Sequence, residues 1–266
     1  MGFDPNASKF TMVQRFKPVV LLLDVSGSMS GEKIDRLYDA VTTMIDRFQD
    51  GCQKEISYKV AIITFGAGGA SLHTPYTDVG NLQNLPRFQA DGGTPLGRAL
   101  MMAKEMIEDP DTTKRGAWYR PTVVLVSDGY PNDSWEQPMR DFIQGTGRDP
   151  EKKDRSTKCQ RMAVGIGSAS ELDERMLQGF VSEPDFYFHA ENASEIAEKF
   201  DLLTTKTMNT AKQQATEPKR TTQTPMSAQR NPTDAGGIRR TTSRRVTTTA
   251  RTAATAMEAE EDDLYN

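Results

Sequence analysis

Pro18-Val19-Val20-Leu21-Leu22-Leu23-Asp24-Val25-Ser26-Gly27-Ser28 is the stretch that decides the fold. A strand with one wet face alternates apolar and polar side chains. The unbroken run from Val19 to Leu23 does not alternate, so it reads as a strand buried on both faces, as in parallel sheets. The run ends on a carboxylate and passes into a Ser/Gly loop. Beyond the loop, Ile34, Leu37, Tyr38, Val41, Met44, Ile45 and Phe48 recur at three- and four-residue spacings. That spacing makes one apolar face of a helix from about Lys33 to Phe48.

The same alternation continues outward. A second strand is expected over Ile56 to Phe65 and a short edge strand over His73 to Val79. Leu96 to Ile107 is helical in pattern, with Pro95 in its first turn, where a missing N–H loses no bond. Thr122 to Ser127 is a second buried strand, and Asp128 stands just past its end. Ser134 and Gln137 have the spacing of a capping box for a helix reaching Gln144. Cys159 to Ile166 reads as a strand, Glu171 to Gln178 as a helix, Phe186 to His189 as a short strand and Ala193 to Thr205 as the last helix. Strand and helix in alternation give an α/β fold: a doubly wound, mostly parallel central sheet with helices on both faces. Ligands of such folds bind outside the carboxyl ends of the strands. Asp24 and Asp128 both fall at that end.

Asp24-Val25-Ser26-Gly27-Ser28 has the form D-x-S-x-S between a strand and a helix. Taken alone it admits a plain alternative, because Asp and Ser are favoured helix N-caps. Two further loops bear on the choice. Gly92-Gly93-Thr94-Pro95-Leu96 precedes a helix, and Val126-Ser127-Asp128-Gly129 follows a strand. The three loops together resemble the metal-ion-dependent adhesion site of von Willebrand factor A and integrin I domains, over roughly Lys17 to Thr205. The resemblance implies a divalent metal held by Asp24, Ser26, Ser28, Thr94 and Asp128. In it the three hydroxyls are direct ligands, and the two carboxylates act mainly through water. Such oxygen ligands suit a hard cation, Mg²⁺ first, with Mn²⁺ or Ca²⁺ also able to use them. A metal with mainly neutral ligands keeps positive charge and an open position, which a Glu or Asp of a partner protein would fill. Gly27 and Gly93 are expected to let backbone approach closely.

The third loop is more particular. Trp118-Tyr119-Arg120-Pro121 leads into its strand, and Asp128-Gly129-Tyr130-Pro131-Asn132-Asp133-Ser134-Trp135 leads out. This resembles the bacterial TerY-like branch of the family, associated with tellurium resistance and stress response. The resemblance implies a regulatory or scaffold role beside a Ser/Thr kinase and a PP2C-type phosphatase. Tyr130 and Trp135 are candidate partner-binding residues on the rim. Trp135 packing inward at the start of its helix is the alternative.

Composition and charge set the outer bounds. A hydrophobic fraction of 36% is low for a chain of 266 residues that folds throughout. The apolar periodicity ends near Met208, and a Thr-, Arg-, Ala- and Gln-rich remainder follows. The expected division is therefore an N-terminal arm (1–16), one domain (17–207) and a disordered tail (208–266). Net charge is −4, which gives no case for nucleic-acid binding. Two cysteines far apart suggest reduced thiols in a cytoplasmic protein. The first 17 residues have no apolar signal-like core, and no run is long enough to span a bilayer.

In the tail, Lys219-Arg220-Thr221-Thr222, Arg239-Arg240-Thr241-Thr242 and Arg244-Arg245-Val246-Thr247 each place two basic residues and a spacer before a Thr. This is the preference of basophilic kinases and makes Thr222, Thr242 and Thr247 candidate phosphorylation sites. Compositional bias toward Arg and Thr is one alternative, and electrostatic contact of the short basic block with nucleic acid is a further one, weakened by the acidic end that follows. The acidic end, Glu258 to Asp263, sits on a flexible tether whose span is on the order of 45 Å. That reach would let it serve the metal in cis.

Enzyme readings fare less well. Haloacid-dehalogenase phosphatases need a second acid two residues after the first, where this chain has Ser26. Val164-Gly165-Ile166-Gly167-Ser168 lacks the third glycine of a dinucleotide loop. His73 and His189 have no metal-ligand spacing. A binding module without catalysis is the expectation. The alternatives are a metal-dependent phosphoryl hydrolase or a subunit serving a separate ATPase.

Overall fold

The computed structural model describes residues 15–53, 56–110, 118–147 and 154–216. Among these, six strands form one sheet in the order β3-β2-β1-β4-β5-β6. The strands are β1 (Arg15–Val25), β2 (Ile56–Gly66), β3 (Gly69–Asp78), β4 (Thr122–Ser127), β5 (Gln160–Ile166) and β6 (Tyr187–Ala190). All neighbours are parallel except β2 and β3, which form an antiparallel hairpin. The order reverses at β1, with β2 on one side and β4 on the other. That is the switch point where α/β sheets open a crevice for a ligand.

Both faces are covered, which accounts for the unbroken apolar runs. Val19, Leu21 and Leu23 of β1 pack on one face with α1 (Glu32–Asp50) and α5 (Ile196–Thr216). Val20 and Leu22 pack on the other with α2 (Leu96–Glu108), α3 (Glu136–Gln144) and α4 (Glu174–Phe180). Successive residues of β1 thus serve two separate cores. The periodic residues of α1 behave as expected: Leu37, Val41, Met44, Ile45 and Phe48 are all buried.

Four local expectations are corrected. The edge strand is longer than His73 to Val79, because β3 opens directly from the turn after β2. Pro95 is the last residue before α2 and not part of its first turn. Ser134 and Gln137 do not cap α3; the N-cap is Trp135, with no side-chain bond, and Gln137 donates to Asp141 instead. Both ends of the domain also run further than the expected 17–207. Arg15 and Phe16, placed in the arm, continue the β1–β2 ladder opposite Ile56 and Ser57.

Residues 208–216, placed in the disordered tail, are the last turns of α5. Thr207 and Ala211 of α5 are buried, and Met208 and Ala215 pack against the same core. Polar contacts fix the rest: Gln160 Nε2 donates to Thr210 Oγ1, and Lys17 Nζ reaches Gln214 Oε1. The remainder of the tail, including Thr222, Thr242, Thr247 and the acidic end, lies outside the described residues. Among the described residues no helix is long and apolar enough to cross a membrane. Cys52 and Cys159 are free, the first half-buried and the second buried.

Candidate metal centre

Parallel pairing sets the level of the two carboxylates. Leu23 of β1 is in register with Val126 of β4, so Asp24 stands level with Ser127. The Ser127 hydroxyl donates to Asp24 Oδ2 at 2.6 Å, and the Ser26 amide donates to Asp24 Oδ1 at 2.8 Å. Asp128, one residue on, accepts the Ser28 hydroxyl on Oδ1 at 2.7 Å. Its Oδ2 takes the Lys33 ammonium, also at 2.7 Å. The Ser26 and Ser28 hydroxyls are 3.0 Å apart. Asp24, Ser26, Ser28 and Asp128 therefore form one connected cluster at the carboxyl ends of the two central strands.

Simple helix capping does not account for the motif. Ser26 makes no side-chain cap bond to the short turn that follows it, and α1 is capped by Gly31, which has no side chain. The motif's side chains are spent on one another and on Asp128.

Backbone bonds stitch the second loop to the first. The Asp91 amide donates to the Val25 carbonyl at 2.8 Å, and the Gly27 amide donates to the Gly92 carbonyl at 2.9 Å. The third loop joins through the Asn132 amide, which donates to the Thr94 carbonyl at 3.1 Å. Thr94 is buried between them. Gly92 is where this crossing needs a missing side chain: its φ is +74° and a Cβ there would lie 2.6 Å from the Ala67 backbone, whereas a Cβ at Gly93 would meet the end of the Asn132 side chain, which can turn away. Gly27 is different, since a Cβ would meet only the Gly92 carbonyl at an ordinary 3.5 Å. The close approach expected at Gly27 is not a steric requirement.

Burial makes the electrostatics costly. Asp24 is fully buried and Asp128 nearly so. Burial pushes the Asp24 carboxyl up to about 6, against the hydrogen bonds from Ser127 and Ser26, and the Asp128 charge adds to the rise. The one ammonium at the cluster, Lys33, pairs with Asp128 and not with Asp24, so with both carboxylates ionised a surplus negative charge remains at Asp24. Buried charge of this kind demands a counter-ion or a proton. Among the described residues, no three His, Cys, Asp or Glu side chains cluster closely enough to hold a metal by themselves. A cation here would depend on the hydroxyls, which is the donor set of a hard ion.

The rim residues part company. Tyr130, in the third loop, is 59% exposed. Trp135 is half-buried and packs on the α2–α3 side of the sheet, so its inward alternative is the one observed. Two residues that the sequence did not single out also build the site. Asp133 caps α2 from a distant loop, accepting the Gly97 and Arg98 amides at 3.0 and 3.1 Å. No local capping pattern reveals a cap 36 residues away. Asp133→Ala should therefore lower unfolding stability by about 1–2 kcal/mol, and a urea titration would read it. A change under about 0.5 kcal/mol would mean that water replaces the cap. The other residue is Lys33. A cation in the first turn of a helix opposes the helix dipole, which was the available sign that it has a carboxylate partner.

The family model of the von Willebrand factor type A domain matches residues 19–202. The chain belongs to this family. Domains of the family are typically metal-dependent adhesion and protein-interaction modules. No curated protein matches the chain in sequence at a significant level. Among solved structures, it is similar to proximal thread matrix protein 1 from the mussel byssus with a zinc-occupied adhesion-site motif. Identity there is 16% and the TM-score 0.56, over 72% of this chain and 48% of that one. It is similar to a von Willebrand factor type A protein from Catenulispora acidiphila, at 19% identity and TM-score 0.55, over 73% and 43% of the two chains. The pilus adhesin SpaC from Lactobacillus rhamnosus GG gives 17% and 0.53, over 74% and 31%. The aligned part spans less than half the length of these proteins, and the likeness is one of fold.

Proposed function

We propose that this von Willebrand factor A domain binds a divalent cation through Ser26, Ser28 and Thr94, and uses it to grip an acidic residue of a partner protein. The observation that carries the reading is the buried Asp24–Asp128 pair, of which only Asp128 is neutralised by an ammonium, that of Lys33. The donor set is all oxygen, hydroxyl and carboxylate, and suits a hard cation, Mg²⁺ or Mn²⁺. When bound, the ion supplies residual positive charge at an open coordination position. Asp24 and Asp128 hold the surrounding hydroxyls and amide in place.

The loop from Asp128 to Trp135 supports a place in the TerY-like branch, beside a Ser/Thr kinase and a PP2C-type phosphatase in a stress or tellurium-resistance system. Tyr130 is the rim residue best exposed to meet such a partner.

The test is affinity capture from the native host with wild type and Asp24→Ala, each with Mg²⁺ and with EDTA. A partner retained only by wild type with Mg²⁺ is the expected result. The same proteins held under all four conditions would sink the metal-grip reading.

A further inference from the structure

Lys33 is the second residue of α1, and its ammonium is 2.7 Å from Asp128 Oδ2. Asp128 is buried, while the Lys33 side chain keeps 26% of its exposure. The lysine thus reaches in from the rim, and its head neutralises the carboxylate that also holds Ser28. A second carboxylate waits beside it. The loop after β5 turns at Gly167, where φ is +125°. A Cβ built there would lie 3.1 Å from Glu171 Oε2 and 3.8 Å from Lys33 Nζ, so both groups flank one point. Glu171 is fixed in that loop by the Ser168 amide and hydroxyl, at 3.0 and 2.9 Å.

We propose that Lys33 is a built-in counter-cation of the site: it competes with the divalent ion for Asp128 and turns to Glu171 when the ion binds. This rests on the metal-binding reading above. The physical ground is repulsion. A unit charge and a double charge sharing one carboxylate stand only a few ångströms apart, and even water-like screening leaves an effect of about tenfold on binding. Glu171 offers the displaced ammonium a seat on the exposed side of the same loop cluster. Lys33 then sets how much free cation the domain needs. It also shields Asp128 while no ion is bound.

Mn²⁺ affinity, measured by calorimetry on the full chain, tests both parts. Lys33→Met should tighten Mn²⁺ binding about tenfold, and Lys33→Arg, which keeps the charge, should leave it within about twofold of wild type. Glu171→Gln should loosen Mn²⁺ about two- to threefold with Lys33 present and have no effect in the K33M background. Thermal unfolding in EDTA gives an independent readout. K33M should melt below wild type, because the buried carboxylates lose their cation, and should gain more from added Mn²⁺. If K33M binds Mn²⁺ equally or more weakly, Lys33 is no competitor. If E171Q acts equally in both backgrounds, Glu171 is not its second seat. Wild-type protein that binds no Mn²⁺ would instead overturn the metal reading itself.

Discussion

Asp24→Asn should unfold at a higher temperature than wild type in EDTA at pH 7.5, and should bind no divalent cation. The Asp24 carboxyl is raised from 3.8 to about 6, chiefly by burial. The folded state therefore holds this proton more tightly than the unfolded chain. As pH rises from about 4 to about 6, the unfolded chain releases the proton first, and stability falls through that window. Above pH 6 the loss is complete, on the order of 3 kcal/mol. Asparagine keeps an acceptor for the Ser26 amide and offers a donor to the Ser127 hydroxyl, so the bonds at 2.8 and 2.6 Å have replacements. It carries no charge to bury. For a domain of this size the gain corresponds to roughly 6–12 °C.

The same substitution should erase the response to metal. A ligand that binds only the folded state stabilises it by about 2.7 kcal/mol at a hundredfold excess over its dissociation constant. Wild type should show that rise with Mg²⁺, and D24N none. At pH 4, where the wild-type carboxyl is protonated in the fold, the advantage of D24N should shrink toward zero. A variant less stable than wild type in EDTA at pH 7.5 would mean that Asp24 is chiefly a hydrogen-bond anchor. In that case the site would not be held ready for a cation.

The contrast between Asp24 and Asp133 shows what a sequence exposes. Asp24 ends a run of aliphatic residues that only a doubly covered strand explains, so both its place and its burial could be read. The sequence placed Asp128 at the same end of the sheet, and register with β4 is what puts it beside Asp24. Asp133 acts on α2 through tertiary placement, and its neighbours in sequence carry no sign of it. Lys33 lies between these cases: its helix and turn were legible, but not the carboxylate it meets. Trp135 was undecided because an aromatic at a helix start can face either way, and packing alone turned it inward. The end of α5 was misread for a related reason. Past Thr207 the helix has only Met208, Ala211 and Ala215 against the core and otherwise relies on Thr210 and Gln214 meeting Gln160 and Lys17. Met208, Ala211 and Ala215 do keep helical spacing, but two of the three are alanines in a Thr/Gln-rich stretch, and the polar anchors that complete the docking leave no periodic trace.

Lys17, one of those anchors, should be a liability below neutral pH. It is fully buried, its ammonium donating to the Arg120 carbonyl at 2.6 Å and to Gln214 Oε1 at 3.5 Å. Burial lowers it from 10.5 to about 7, opposed by nearby Cys159, whose thiol burial pushes up to about 12. Here the unfolded chain holds the proton more tightly than the fold. Stability therefore rises with pH from about 7 to about 10, and the full penalty applies below 7. The shift corresponds to on the order of 4–5 kcal/mol. Lys17→Met keeps the unbranched side chain up to the Cε position and removes the charge. It also takes a donor from the Arg120 carbonyl, which costs about 1–2 kcal/mol. The net expectation is a gain of about 2–4 kcal/mol at pH 6, or roughly 4–16 °C. That gain should decline steadily toward pH 10, where wild type buries a neutral amine. Melting temperatures of both proteins from pH 6 to 10 would decide it. A constant gain across the range would assign the effect to packing, and a loss at every pH would make the Lys17–Arg120–Gln214 contact a true tie between β1 and the end of α5.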